Sequence, residues 1–279
     1  MPVKRDIRLL VSDIDNTILR SDGTIAPETT ATFERAARAG MRTVLASSRT
    51  VDSARFLLDK VGELTHMIML TGCVLTDVKT GECLMHRSID PDTARELLAY
   101  ADAAWPCYFE ACGGGRYVLA RKSLDYVRSR GIFSRYLEDL SACLTVVDSL
   151  GEYFAASGTP VDKMFLYSAE PGQQELLASA LPGRGRLRLV SPVPNGLDIL
   201  PRDVSKGAAL RVLLRRLGLR EEQVMVFGDS ENDAEMFLPG ALKVAVGNAY
   251  PSLKARADFV SRTNDEHGVA CAIDALALS

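Results

Sequence analysis

A parallel α/β core interrupted by an α+β module is the fold class this sequence predicts, on three observations. Short unbroken apolar runs alternate with amphipathic stretches at both ends of the chain, as in a parallel sheet whose strands are buried on both faces. Between about residues 73 and 191 the strands instead become short and alternating around a glycine turn, Gly113 to Gly115. The chain has 279 residues, 47% of them hydrophobic and 25% charged, which is enough to bury a substantial core without disulfide or metal staples.

Taken in order, Ile7 to Val11 is a β-prone run suited to a strand covered on both sides. A helix is expected from Pro27, which fits a first turn, with Glu28 at the positive end of the helix dipole and Gly40 as the stop. Arg42 to Ala46 reads as the next strand, 51–61 as a helix and His66 to Leu70 as a third strand. In the module, Cys83 to Arg87, Arg116 to Ala120 and Lys163 to Ser168 read as strands, with helices near 91–104, 123–130 and 173–181. Gly196 to Leu200 reads as the first strand of the returning core, followed by an amphipathic helix from Ser205 to Leu217 that Gly218 ends. Val224 to Phe227, Lys243 to Val246 and Phe259 to Val260 are further strands. The expected division is a core domain of residues 1–76 and 192–279 with an inserted α+β domain, 77–191.

Composition narrows the function classes. The 33 Lys and Arg nearly balance the 36 Asp and Glu, and clusters such as Arg184, Arg186 and Arg188 are isolated, so no basic footprint for nucleic acid is present. The N-terminal apolar stretch, Leu9 to Val11, is too short for a signal-peptide core, and no uncharged run approaches the roughly 18 residues of a membrane span. A cytoplasmic protein is expected. The six cysteines at 73, 83, 107, 112, 143 and 271 form no C-x-x-C pair, and the histidines at 66, 86 and 267 are not spaced to make a zinc site with them. Reduced structural thiols are the expectation. Trp105, Tyr108 and Phe109 read as core aromatics.

Three apolar runs end in small or acidic polar residues: LLVS into Asp13, TVLA into Ser47, and VMVFG into Asp229. Ligands of open parallel sheets bind beyond the carboxyl ends of the strands. If these strands are neighbours, the three residues meet in one crevice. Any one alone is equally a turn or cap residue; all three together point to a site. Asp15 stands two residues from Asp13, and Asp229 and Asp233 add further negative charge. Carboxylates about 4 Å apart repel by roughly 4 kcal/mol at an effective dielectric of 20, so the cluster calls for a cation. All-oxygen donors without His or Cys favour Mg²⁺. Lys206, at the start of its helix, is either a solvated lysine or the counter-charge for an anionic substrate.

The ordered set Asp13-Ile14-Asp15-Asn16-Thr17, Ser47, Lys206-Gly207 and Gly228-Asp229-Ser230-Glu231-Asn232-Asp233 resembles the four-motif signature of the haloacid dehalogenase superfamily. The long interval between the second and third motifs is similar to that of the Cof-type subfamily, which carries an α/β cap there. Gly247-Asn248-Ala249 and Asn264-Asp265-Glu266-His267-Gly268 extend the likeness to nearly the whole chain. The resemblance implies a Rossmann-like core with an inserted cap. It also implies a Mg²⁺-dependent phosphatase acting on a small phosphorylated metabolite, such as a sugar phosphate, through an aspartyl-phosphate. By the same resemblance Asp13 is the nucleophile and Asp15 the general acid and base. Ser47, Lys206 and Asn232 hold the phosphoryl group. Mg²⁺ is bound by Asp13, the backbone carbonyl of Asp15, Asp229 and Asp233. A phosphomutase or phosphotransferase of the same fold, and a non-catalytic binding protein for phosphorylated metabolites, are the alternatives. Three departures stand out: Ser47-Ser48-Arg49 replaces the usual Thr-Gly-Arg, Thr71-Gly72-Cys73 replaces Asn-Gly-Ala, and Asn16 takes a frequent glycine position.

Overall fold

The structure, a computed structural model, describes residues 6–279. The first five residues, where the reading of the N-terminus and the expected segment 1–76 both begin, lie outside the described residues. Contacts divide the chain into two compact units, one made of the described residues up to Arg49 with 54–86 and 205–279, the other of 50–53 and 87–204.

The first unit opens with β1 (Leu9–Ser12), which is wholly buried, and α1 (Pro27–Arg38), whose buried Thr29, Thr32, Phe33 and Ala36 lie along one helical stripe. Next come β2 (Arg42–Ala46), β3 (Leu64–Met69), β4 (Val74–Asp77) and β5 (Cys83–His86). The segment expected as a helix over 51–61 is only a 3₁₀ helix, Asp52–Leu57.

The second unit contains α2 (Pro91–Ala103), β6 (Tyr108–Gly113), β7 (Arg116–Ala120), α3 (Arg121–Ser129), α4 (Ser134–Asp139), β8 (Leu144–Val147), α5 (Leu150–Ser157), β9 (Lys163–Tyr167), α6 (Gln173–Ser179), β10 (Leu187–Val190) and β11 (Gly196–Pro201). Its six strands run in the order β10-β11-β9-β6-β7-β8, all antiparallel except the β7–β8 pair. Alternation along β6 splits the core. Phe109 and Ala111 join one apolar cluster with Leu97, Leu98, Met164 and Ile199, whereas Tyr108 joins Leu119, Tyr126 and Phe165 on the opposite face. Trp105, expected as core, is 57% exposed and only its edge meets Tyr126.

The chain returns to the first unit with α7 (Lys206–Leu217), β12 (Val224–Gly228), β13 (Leu242–Ala245), α8 (Pro251–Lys254), β14 (Phe259–Val260) and α9 (Gly268–Leu276). The sheet order is β14-β13-β12-β1-β2-β3-β4-β5, parallel from β14 to β3, with β4 and β5 added antiparallel at the edge. The Arg35 guanidinium on α1 pairs with Asp274 on α9.

Two expectations are corrected here. Cys83 to Arg87 was assigned to the inserted module, yet β5 pairs with β4 and belongs to the eight-stranded sheet. Gly196 to Leu200 was assigned to the returning core, yet β11 pairs antiparallel with β9 and β10. The inserted unit therefore runs over 87–204 rather than 77–191. Among the described residues no helix is long and apolar enough to cross a membrane.

Candidate active site

The three strands whose ends looked chemically distinctive are adjacent. β1 lies between β12 and β2 in parallel, with Ser12 opposite Phe227 on one side and Leu45 on the other. One residue further, the chain leaves the sheet at Asp13, near Ser47 and Asp229, so all three residues stand at the carboxyl edge. Asp13 N–H donates to Phe227 O at 3.1 Å, and Ser47 N–H to Ile68 O at 2.8 Å. These bonds carry the ladder one residue beyond the strands and fix where both side chains begin.

Lys206 holds the centre. It opens α7, whose N-cap Ser205 accepts from Ala208 N–H at 3.0 Å. Its side chain is 0% exposed, so the solvated-lysine reading is excluded. Nζ donates to Asp13 Oδ1 at 2.5 Å, Asp233 Oδ1 at 2.7 Å and Asn232 Oδ1 at 3.4 Å. Asp233 uses its other oxygen to accept from the N–H groups of Asp229 and Ser230, at 3.0 and 3.1 Å. It thus shapes the turn that presents Asp229 while it faces the lysine. Gly228 makes this possible, because a Cβ there would lie 2.5 Å from Asp233 Cβ. Gly72 has a comparable duty: with φ +104° its Cα faces the start of α7, and a Cβ would come within 2.3 Å of Ser205 O and 2.9 Å of Lys206 N.

Carboxylate oxygens of Asp13, Asp229 and Asp233 lie within 4.8 Å of one another. One buried ammonium cannot balance the buried carboxylates of Asp13 and Asp233 and the partly buried one of Asp229. Burial, opposed by Lys206 and assisted by the neighbouring acids, pushes the Asp13 carboxyl up to about 7. Burial and then the charges of Asp13 and Asp233 push Asp229 up to about 9. Lys206 feels the reverse: burial pulls its pKa down, but Asp13 and Asp233 hold it above its ordinary value. Three hard oxygen donors at this spacing, short of positive charge, fit a divalent cation such as Mg²⁺. Thr17 Oγ1 donates to Asp229 Oδ1 at 3.2 Å and helps orient that carboxylate.

Asp15 does not join this group. A wide turn over Ile14–Ile18, with Asn16 in the left-handed region at φ +57°, separates it from Asp13. Its carboxylate instead meets Arg49, which donates through Nη2 to Oδ1 at 2.8 Å and through Nε to Oδ2 at 2.9 Å. The turn thus sends two acids only two residues apart to different partners, Asp13 to Lys206 and Asp15 to Arg49. Ser47 is buried at the end of β2, where Oγ accepts from Arg49 N–H at 3.2 Å and its carbonyl from Thr71 N–H at 2.9 Å. Sequence reasoning assigned no role to Arg49 or to Thr17. The signal for Arg49 was its place in Ser47-Ser48-Arg49, three residues past the end of a buried strand.

Comparison with known proteins identifies the family of the chain. Residues 10–273 match the family of haloacid dehalogenase-like hydrolases. Phosphatase YwpJ of Bacillus subtilis is 28% identical over 280 residues, covering 95% of this chain and 98% of its own. YwtE of the same organism, a 5-amino-6-(5-phospho-D-ribitylamino)uracil phosphatase, is 25% identical over 284 residues, covering 97% and 98%. A haloacid dehalogenase-like hydrolase from B. subtilis, solved as a structure, aligns with a TM-score of 0.83 at 27% identity, over 97% of this chain and 100% of that one. With the match spanning nearly its full length and the motifs in order, the chain belongs to the haloacid dehalogenase-like hydrolase family, in its Cof-type branch, and is a hydrolase of the phosphatase kind.

Proposed function

We propose that the protein hydrolyses the phosphate monoester of a small metabolite, with Mg²⁺, through a covalent phosphoryl intermediate on Asp13. The observation that carries this reading is the convergence of Asp13, Asp229 and Asp233 around the single buried ammonium of Lys206. The carboxylates of Asp13, Asp229 and Asp233 with the Asp15 carbonyl would hold Mg²⁺, which would supply positive charge to the phosphoryl oxygens. An Asp13 oxygen attacks phosphorus while the ester P–O bond breaks, and Asp15 gives its proton to the departing alkoxide. Asp15 then takes a proton from water, whose oxygen displaces Asp13 from phosphorus and releases inorganic phosphate. Lys206, Ser47 and Asn232 hold the phosphoryl oxygens during both displacements. Arg49 keeps the Asp15 carboxylate in a fixed orientation through its fork of N–H donors.

The substrate class follows the relatives, one of which is named for a phosphoribityl compound. We assign selection among such esters to the inserted unit, 87–204, acting as a cap. We place the protein in the cytoplasm, where phosphorylated metabolites are made and its six cysteines stay reduced thiols. The test is phosphate release across a panel of sugar, sugar-alcohol and nucleotide monoesters with Mg²⁺ or chelator. Metal-dependent release from at least one ester is expected. Transfer of the phosphoryl group to a second hydroxyl without free phosphate would replace this reading with a phosphotransferase.

A further inference from the structure

Two asparagines, Asn248 and Asn264, reach the turn that bears Asp15. Asn248 follows β13 and donates from Nδ2 to Asn16 O at 2.8 Å. Its Oδ1 accepts from Asn264 N–H at 2.9 Å, and the buried Asn264 side chain donates from Nδ2 to Leu19 O at 2.9 Å. The carbonyls at residues 16 and 19 of the Asp13–Leu19 turn are therefore held by side-chain amides from the segments that follow β13 and β14. Both ends of the Asn248 amide have a defined role, the nitrogen donating and the oxygen accepting, so the network fixes its orientation.

The segment that carries Asn248 is also fastened to the Asp229 loop. Val246 N–H donates to Gly228 O at 3.2 Å and Tyr250 N–H to Asp229 O at 2.8 Å. Asn248 thus lies between two backbone bonds to one loop and sends its side chain to the other. The turn needs such support, because Asn16 sits at φ +57°, a region that non-glycine residues seldom occupy. Its carbonyl belongs to the Asn16–Thr17 peptide, one peptide beyond the Asp15 carbonyl.

We infer that Asn248, locked by Asn264, is a positioning residue that sets the spacing between the Asp13–Asp15 loop and the Asp229 loop. Its substrate is the active site itself: it fixes the Asp15 backbone, and through it the acid's carboxylate and the carbonyl assigned to Mg²⁺. The inference rests on the phosphatase reading for its catalytic half and on the carboxylate cluster for its metal half.

Asn248→Asp is the informative change. It preserves shape and the acceptor for Asn264 N–H but sets an oxygen against Asn16 O in place of a donor. Asn248→Ala, at an exposed position, removes the side chain without adding charge and serves as the second variant. Titration of Mg²⁺ into the intact protein should show about tenfold weaker binding in both variants, as for other groups that orient ligands without touching the metal. In single-turnover assays kcat/KM should fall about tenfold for alkyl phosphates and less for aryl phosphates. That selective loss should vanish when Asn248→Asp is added to Asp15→Asn. Unchanged Mg²⁺ affinity in a variant with wild-type circular dichroism overturns the inference, as does an equal loss for both ester types. A wild type that binds Mg²⁺ but releases no phosphate would defeat the phosphatase reading instead, and the Mg²⁺ comparison would still judge the brace.

Discussion

At Asp13 the requirements of folding and of chemistry oppose each other. Its carboxylate is 5% exposed and is held at 2.5 Å from Lys206, a position that costs desolvation and suits attack on a phosphorus atom. Asp13→Asn should therefore abolish turnover while leaving the protein folded, since an amide cannot form the acyl-phosphate. The wild type, but not this variant, should retain beryllium fluoride with Mg²⁺. Turnover within tenfold of wild type in Asp13→Asn would remove the residue from the nucleophile role. Asp15 and Arg49 make a graded pair. General acid catalysis is worth roughly 10²–10⁴-fold, so Asp15→Asn should cost an alkyl phosphate about that much and an aryl phosphate, with its better leaving group, much less. Arg49→Lys retains the charge and loses the fork that engages both carboxylate oxygens, so about a tenfold loss of the same selectivity is expected. Single-turnover rates with both ester types decide; equal losses would make Asp15 a structural residue.

Elements bring these residues together through close backbone approaches. Thr71-Gly72-Cys73 lies between β3 and β4, and Gly72 faces the first turn of α7 so closely that no side chain fits. Gly72→Ala should push the Ser205–Lys206 peptide outward, costing on the order of 1–3 kcal/mol for the left-handed backbone alone. It should lower both the Tm and Mg²⁺-dependent turnover; a variant with both unchanged would show that α7 is not seated by this contact. The departure at Thr71 and Cys73 thus leaves Gly72 in place, while Thr71 itself takes a left-handed φ of +56°. The same level explains what the sequence could disclose. Asp13, Ser47 and Asp229 were legible because each ends an apolar run, and parallel strands deliver such ends to one edge. β11 was misassigned because Gly196 to Leu200 reads as a continuous buried strand, and burial alone does not distinguish parallel from antiparallel pairing. Its Asp198, paired with Lys163 at 2.8 Å within the second unit, is a charge that the apolar pattern masks. Arg49 was opaque for another reason: its partner lies 34 positions away, and no local periodicity reports such an ion pair.

For the molecule as a whole, the acidic site opposes folding more strongly as the pH rises. Asp13 and Asp229 keep protons in the folded state up to about 7 and about 9, whereas ordinary carboxyls lose them near 3.8. Between those limits the folded chain binds more protons than the unfolded one, so these two groups lower stability as pH rises. Mg²⁺ must displace those protons, and its stabilising increment should grow with pH. The rise in Tm on adding Mg²⁺ to chelator-treated protein should be larger at pH 8.5 than at pH 6; an increment independent of pH would mean that the carboxylates are already ionised. The two units invite a separate test. The eight-stranded sheet is assembled entirely from residues outside 87–204, as are Asp13, Asp15, Ser47, Lys206, Asn232, Asp229 and Asp233. Replacing 87–204 by a flexible Gly/Ser linker between His86 and Ser205 should leave a core that folds and binds Mg²⁺. If the inserted unit supplies contacts to the remote part of the substrate, those contacts lower the barrier only for esters large enough to make them. The excised core should then lose most of its preference for the best metabolite over a small aryl phosphate, while its weak action on the aryl ester persists. The measurement is the ratio of kcat/KM for the two esters before and after excision, with folding followed by circular dichroism. A folded core with an unchanged ratio would place selection in the eight-stranded unit and remove the cap role from 87–204.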